Sequence, residues 1–151
     1  MQTIRPSRLR GGFPSPPPKA ERLEFGLDGL HDVRVLIASA ADARGLPPRR
    51  SSDLVLAASE LAANSVLHGG GAGLVTVWEE AGAVLVEVAD AGTIEDPTVG
   101  QALPDPAAEG GRGLYIAGRL CDELTIDSGL GGTRVRLRMA AGAGADRRRA
   151  I

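Results

Sequence analysis

The chain has 151 residues, of which 43% are hydrophobic, and this length and composition are typical of a single globular domain. It contains one cysteine, Cys121, which excludes an internal disulfide framework and a cysteine zinc site. No apolar run reaches the roughly 18 residues that a membrane span needs. The N-terminus also lacks the apolar stretch of a signal peptide, so we predict a cytoplasmic protein with no membrane partner.

Charge is divided unevenly along the chain. Residues 1–20 and 147–149 hold seven of the 17 lysine and arginine residues, which leaves ten against all 19 acidic residues between them. An acidic body is a poor nucleic-acid surface, because phosphate neutralisation supplies most non-specific affinity, and we predict no direct nucleic-acid binding. Lys19 is the only lysine, which excludes a Walker A loop, a eukaryotic-type protein kinase and aldimine chemistry.

The first half of the chain begins with a segment of unusual composition. Residues 1–20 are dense in Pro, Gly, Ser and Arg, which predicts a disordered or polyproline linker. Glu21 to Leu27 fits a short edge strand. Helical spacing of apolar residues predicts a helix from Gly29 to Arg44, ended by Gly45.

A second helix is predicted from the next apolar stripe. Ser51 or Ser52 is expected to cap it, with Asp53 in its first turn. It runs to about His68 and ends at the glycines 69–71.

Two strands and a long polar segment come next. Ala83 to Asp90 follows a strand from Gly73 to Glu80, with a tight turn at residues 81–82. Residues 91–109 are polar and rich in proline, and they are too long for an ordinary connection, so we predict a lid.

The last elements are a helix and a hairpin. Residues 110–113 open a third helix that reaches about Glu123, and strands 124–128 and 133–139 turn at Gly129 to Gly132. Residues 140–151 are predicted to be a flexible tail. This order of elements predicts an α+β fold, a two-layer sandwich with a mixed, mostly antiparallel sheet and helices on one face.

Glu60, Asn64 and His68 recur every four residues on one flank of the second helix. The Asn64 oxygen suits Mg²⁺, which prefers hard oxygen ligands together with substrate phosphates. A glutamate one turn away can orient or deprotonate a hydroxyl. A solvated helix face shows the same spacing, so the pattern alone leaves both interpretations open.

Asp90 shares its parity with Val84, Val86 and Val88, which predicts that its carboxylate points toward the core side at the end of a strand. Burial without a partner would cost several kcal/mol, so we expect a bound partner such as an exocyclic amine. Gly92 allows close approach of a flat ring. An aspartate that simply starts a turn is the alternative.

The glycines at 110–113 match neither a dinucleotide-binding fingerprint nor a Walker loop. They place backbone N–H groups at a helix N-terminus, which is an anion site without a lysine. A flexible loop before a plain helix start is the alternative. Thr133, which follows Gly131 and Gly132, begins the final strand.

Taken in order, these four segments resemble the nucleotide-binding boxes of the GHKL, or Bergerat-fold, ATPase superfamily. The segment Ser-Glu-Leu-Ala-Ala-Asn-Ser-Val-Leu-His-Gly is similar to the branch of small anti-sigma factor serine kinases, and the resemblance covers residues 21–139 as one histidine-kinase-like ATPase domain. It implies Mg-ATP as cofactor, with a sigma factor and an anti-anti-sigma (STAS) protein as partners and a homodimer as a possible assembly. The implied residues are Glu60 and Arg112 for catalysis, Asn64 for Mg²⁺ and ATP, Asp90, Gly92, Gly110, Gly111, Gly113, Leu114 and Thr133 for ATP, and Arg34 for the partner.

Two departures from the family pattern bear on phosphoryl transfer. Residues 91–111 contain no lysine or arginine, so Arg112 is the one cation placed to meet a γ-phosphate from this side. The segment Asp-Ala-Gly-Thr-Ile lacks the later glycine of its box. Two other functions therefore stay open, an ATP-binding anti-sigma module with little turnover and the ATPase domain of a longer sensor kinase.

Overall fold

In a computed structural model of the chain, the described residues are 3–6, 13–93 and 112–141, with the backbone alone for residues 3–6. The strands are β1 (Thr3–Pro6), β2 (Glu21–Gly26), β3 (Ala72–Glu80), β4 (Ala83–Asp90), β5 (Glu123–Gly129) and β6 (Gly132–Ala140). The helices are α1 (Leu30–Ala43), α2 (Pro48–His68) and α3 (Arg112–Leu120), and a single 3₁₀ turn, Leu27–Gly29, precedes α1.

The six strands form one sheet in the order β1-β5-β6-β4-β3-β2. β1 pairs with β5 in parallel, and the other neighbours are antiparallel. Val84, Val86 and Val88 of β4 are at most 3% exposed and belong to the core shared with all three helices. The predicted α+β sandwich with helices on one face of a mixed sheet is confirmed.

A turn of two residues, Ala81 and Gly82, connects β3 and β4. Ala81 has φ 50° and Gly82 has φ 75°. Left-handed conformation at both central residues is the hairpin geometry that matches the twist of the flanking strands. The predicted turn at residues 81–82 is confirmed, with a non-glycine residue in its first position.

The second helix begins earlier than predicted. α2 begins at Pro48 with Pro47 as its N-cap, so neither Ser51 nor Ser52 is the cap. A proline suits this first position because its missing N–H would have no partner there. The early start places Arg50 inside the helix, where its guanidinium pairs with the Asp122 carboxylate at 2.6 Å, and both side chains are at most 10% exposed.

Two boundaries after α3 also differ from the prediction. α3 ends at Leu120, not near Glu123, because the Asp122 N–H already donates to the Arg138 carbonyl at 3.0 Å and Glu123 belongs to β5. β6 continues through Ala140, so the predicted tail starts later, and residues 142–151 lie outside the described residues. Cys121 is fully buried at this junction, and burial raises the pKa of its thiol far above the usual range, which leaves it unreactive.

Residues 13–20, which we call the arm, run across the outer face of the sheet from β6 to β2. The guanidinium carbon of Arg136 lies 4.7 Å from the centre of the Phe13 ring and 5.0 Å from the centre of the Trp78 ring. The Pro14 carbonyl accepts a hydrogen bond from Arg136. At the other end of the arm, the Arg22 guanidinium donates to the Ala20 carbonyl at 2.9 Å.

Of the predicted disordered or polyproline linker, residues 3–6 form a strand and residues 13–20 lie against the sheet, whereas residues 1–2 and 7–12 lie outside the described residues. Within the arm, the Pro17 carbonyl accepts a hydrogen bond from the Ala20 N–H at 3.0 Å, and the Pro14 and Ala20 carbonyls accept from arginines on the strands. Phe13 then supplies apolar cover, and it is 8% exposed. Composition alone gave no indication of these partners.

Phe13→Ala should lower the free energy of unfolding by roughly 1–3 kcal/mol, because the arm loses its buried ring and a cation–π contact. Trp78 is the only tryptophan and is 2% exposed, so its fluorescence should become easier to quench with acrylamide. Lys19→Ala, an exposed change in the same arm, is the control. Unchanged stability and quenching in Phe13→Ala would show that the arm is not held by this ring.

Candidate functional site

The Asp90 carboxylate lies where the end of β4 meets the last turns of α2. One of its oxygens, Oδ2, accepts a hydrogen bond from the Ser65 hydroxyl at 2.7 Å, and Oδ1 accepts from the Gly92 N–H at 2.8 Å. The carboxylate thus points to the helix layer, which confirms the parity argument. Its partners within the chain are now identified, and each oxygen retains capacity for a further donor.

Two glycines allow this close approach of strand and helix. A Cβ on Gly69 would overlap the Asp90 carboxylate. A Cβ on Gly92 would stand 2.9 Å from the Gly69 Cα and 3.1 Å from the His68 carbonyl oxygen. The missing side chain of Gly92 is therefore required by packing against the end of α2, in addition to the ligand approach that the sequence suggested.

Thr133 fixes the backbone at Gly92 from the other side. Its hydroxyl donates to the Gly92 carbonyl at 2.8 Å and lies 2.7 Å from the Ser128 hydroxyl. Because a threonine has one hydroxyl hydrogen and a carbonyl can only accept, Ser128 must be the donor in the second contact. Thr133 is 5% exposed and pairs with Asp90 across β4 and β6, so two of the predicted site residues adjoin Gly92 directly.

Asn64 lies against the N-terminal turn of α3. A Cβ on Gly113 would stand 2.9 Å from the Asn64 amide nitrogen and 3.1 Å from its oxygen. The structure thereby brings together the second-helix and glycine-rich segments, as predicted. Leu114 is 5% exposed within the core, so what α3 offers a ligand there is backbone and not the leucine side chain.

Glu60 stands one turn before Asn64 on the same flank of α2 and is half-buried. Its carboxylate has no hydrogen bond or ion pair with any described residue. Arg34 of α1 is exposed, and its Nε donates to the hydroxyl of Ser59, the residue before Glu60, at 3.1 Å. The predicted partner-contacting arginine is therefore bound to α2 at the residue that precedes the predicted base in sequence.

Some of the remaining predicted site residues lie outside the described residues. Arg112 begins α3 and is exposed, whereas Gly110, Gly111 and lid residues 94–109 lie outside the described residues. Within the described ranges, no group of three or more His, Cys, Asp or Glu side chains could hold a metal ion. Across those ranges, no helix is long and apolar enough to cross a membrane.

An open groove of about 730 Å³ borders the end of β4 at the edge of the sheet, which is within the size range of small-molecule sites. Its lining includes Phe25, Gly73, Ala89 and Asp90.

Sequence reasoning missed Ser65 and Gly69. Ser65 falls on the apolar stripe of α2 and is 1% exposed, so a serine among buried alanines was the available signal of a polar partner. Gly69 was interpreted only as a helix terminator, and nothing in the sequence indicated its contact with Asp90.

Comparison with known proteins agrees with this geometry. Residues 24–139 match the family model described as the histidine kinase-like ATPase domain. A crystal structure of the RsbU and RsbW domains of Rv1364c from Mycobacterium tuberculosis is similar, with TM-score 0.59 and 22% identity over 80% of this chain and 32% of that one. The histidine kinase AdeS from Acinetobacter baumannii matches with TM-score 0.49 and 8% identity, over 83% of this chain and 70% of that one.

No curated protein matches the chain, and the chain spans about a third of the Rv1364c structure. The family model nevertheless extends over residues 24–139, which is most of the sequence and includes all of the site residues named above. The chain belongs to the family of histidine kinase-like ATPase domains.

Proposed function

We propose that this protein is an ATP-binding anti-sigma factor that phosphorylates a serine of an anti-anti-sigma (STAS) partner and so regulates transcription by partner switching. The observation that carries the proposal is the convergence of Asn64, Asp90 and Thr133 on one junction of α2, α3 and the sheet, in an ATPase-family domain.

Family membership supports the coarser part of this proposal, an ATP-binding module of the kinase or ATPase type. The finer part rests on the anti-sigma kinase resemblance of the α2 segment, and the similar Rv1364c structure contains a domain named RsbW. The partners proposed are a sigma factor and a STAS protein, with a homodimer as the possible assembly.

The residues at the junction suit Mg-ATP. Asp90 offers carboxylate acceptors to an exocyclic amine while its orientation is held by Ser65 and Gly92. Asn64 offers a neutral oxygen for Mg²⁺ beside the N-terminal turn of α3, where backbone N–H groups favour phosphate oxygens. Gly110, Gly111 and Gly113 supply the phosphate-binding backbone in this proposal.

Glu60 is the proposed general base. Bound Mg-ATP would supply the γ-phosphoryl group to the serine oxygen and leave as ADP, and the Glu60 carboxylate accepts the proton of the serine hydroxyl. Having no hydrogen bond or ion pair with the described residues, this carboxylate is free to do so. Arg34, one residue away from Glu60 through its contact with Ser59, is proposed to bind the protein partner on the same surface.

A binding module with little turnover is the second candidate. The observation that favours it is the shortage of cations in the sequence near the proposed phosphate site, where Arg112 stands alone. Phosphoryl transfer depends on stabilising charge at the transferred group. Residues 91–111 contain no lysine or arginine, and Arg112 is an exposed side chain at the start of α3.

Asn64→Ala should weaken Mg-ATP binding at least ~10-fold, about 1.4 kcal/mol, because the neutral metal ligand is lost. The fold should survive, since Asn64 is half-buried and flanks the apolar stripe of α2. Calorimetry gives both affinities, with Ser52→Ala, an exposed change in the same helix, as the control. Equal Mg-ATP affinity in Asn64→Ala and the wild type would contradict the metal assignment.

ATP should bind more tightly than GTP by about 2–3 kcal/mol, because guanine places a carbonyl oxygen opposite the Asp90 carboxylate and leaves two acceptors facing each other. The carboxylate cannot turn away without breaking its bonds to Ser65 and Gly92. Competition binding against a fluorescent ATP analogue measures the difference. Similar displacement by ATP and GTP would refute the role of Asp90.

Glu60→Ala should keep nucleotide and sigma-factor binding and lose serine phosphorylation of the STAS partner by at least ~100-fold, since a general base contributes to rate and little to ground-state affinity. Glu60→Gln retains the size of the side chain and should lose the reaction equally. Transfer from γ-labelled ATP measures the rate. If the wild type binds Mg-ATP and a sigma factor but transfers no more label than Glu60→Ala, the binding-module function replaces the kinase function.

A further inference from the structure

We propose that Ser65 is a positioning residue for base recognition, which holds the Asp90 carboxylate in the orientation that selects a purine with a 6-amino group. This inference rests on the proposed ATP binding and assigns a residue that the family resemblance did not include. Ser65 does not touch the nucleotide in this proposal and acts through Asp90.

The burial of Ser65 shows that its hydroxyl has a specific use. It is 1% exposed and lies one turn after the buried apolar residues Leu61 and Ala62 of α2. A buried hydroxyl without a partner costs free energy, so a serine here is tolerated only because it donates. Its hydrogen bond to Asp90 Oδ2, at 2.7 Å, joins a hydroxyl to a carboxylate, which is among the stronger kinds of protein hydrogen bond.

The backbone of Ser65 also shapes the space beside the carboxylate. Its carbonyl accepts from the Gly69 N–H at 2.9 Å and from the Gly71 N–H at 3.3 Å, which closes the C-terminal turn of α2. That turn places the bare Cα of Gly69 where a Cβ would overlap the Asp90 carboxylate. Ser65 therefore donates a hydrogen bond to the Asp90 carboxylate through its side chain. Through its carbonyl it also fixes the turn that places Gly69 against the same carboxylate.

The two hydrogen bonds, one to each oxygen, fix the orientation of the Asp90 carboxylate. Oδ1 is bound by the Gly92 N–H, Gly92 is itself held by Thr133, and Asp90 remains half-buried, so a donor can still reach it. A pre-oriented acceptor loses little freedom when the donor arrives and discriminates better against a ligand that lacks one.

A purely structural role is the competing explanation, in which the Ser65–Asp90 bond only ties α2 to β4. The two roles differ in what happens to nucleotide selectivity. A structural tie would affect all nucleotides alike, whereas a positioning residue affects the nucleotide whose amine Asp90 accepts.

The test compares Mg-ATP with the triphosphate of purine riboside, which lacks the 6-amino group, by calorimetry on the full chain. The wild type should prefer ATP at least ~10-fold, and Ser65→Ala should narrow this preference to within ~3-fold, mainly by weakening ATP. Ser52→Ala makes the same chemical change at an exposed position of α2 and should keep the wild-type preference. Thermal unfolding establishes that each variant is folded.

Gly69→Ala provides a second approach that leaves the Ser65 hydroxyl in place. Gly69 has φ −107° and ψ 22°, a conformation that alanine can adopt, so the added methyl group acts by displacing the Asp90 carboxylate. It should narrow the preference for ATP as Ser65→Ala does. A folded Gly69→Ala with the wild-type preference would overturn the inference.

The remaining outcomes separate this inference from the proposed function. If Ser65→Ala weakens both nucleotides equally, or lowers only the thermal stability, Ser65 is structural and the inference is overturned. If the wild type binds Mg-ATP but shows no preference over the amine-free analogue, the inference fails while ATP binding stands. If the wild type binds neither nucleotide, the proposed function itself fails.

Discussion

The close packing of α2 on the sheet is the constraint on which the candidate site depends. The helix presents small side chains to the strands, with Ala57, Ala58, Ala62 and Ser65 each at most 1% exposed. Small residues let a helix axis approach a sheet closely, and interiors leave few voids, so the distance is set by these side chains. At this distance the end of β4 can touch the end of α2. A larger residue at any of these positions would separate the hydroxyl from its carboxylate and open the junction that brings α3 alongside.

Local pattern was sufficient where a segment's structure depends on its own residues. The period of α1, the alternation of valines in β4 and the turn at Gly82 predicted elements that the structure confirms. The sequence did not predict the features that depend on a contact with a residue far away in the chain. α2 begins at Pro48, three residues before the first predicted cap, and its Arg50 pairs with Asp122 beyond α3. The arm stays ordered through arginines on strands that come long after it in sequence, and composition could not reveal them.

The site shows the same division. Glu60, Asn64 and Asp90 were identified because a polar residue at a set position of a helix or strand end is visible in the sequence, although their roles as ligands remain a proposal. Ser65 was not identified, because a small residue on an apolar stripe looks like core until its partner is known. Gly69 was understood as a helix end, yet its contact with Asp90 depends on the register between β4 and α2. Helical periodicity predicts which residues of a helix are buried, but it does not predict which atoms of the sheet they contact.

The arm also affects where the domain can be cut. The family match starts at residue 24, which suggests a natural boundary near the beginning of β2. A shortened protein that started there would remove Phe13 and the carbonyl acceptors of Arg136, and it would uncover the face on which Thr76, Trp78 and Glu87 are now at most 5% exposed. An aromatic and cationic surface of this kind favours self-association. For recombinant work, the boundary that preserves these contacts therefore lies before Phe13, well ahead of the first residue that the family model matches.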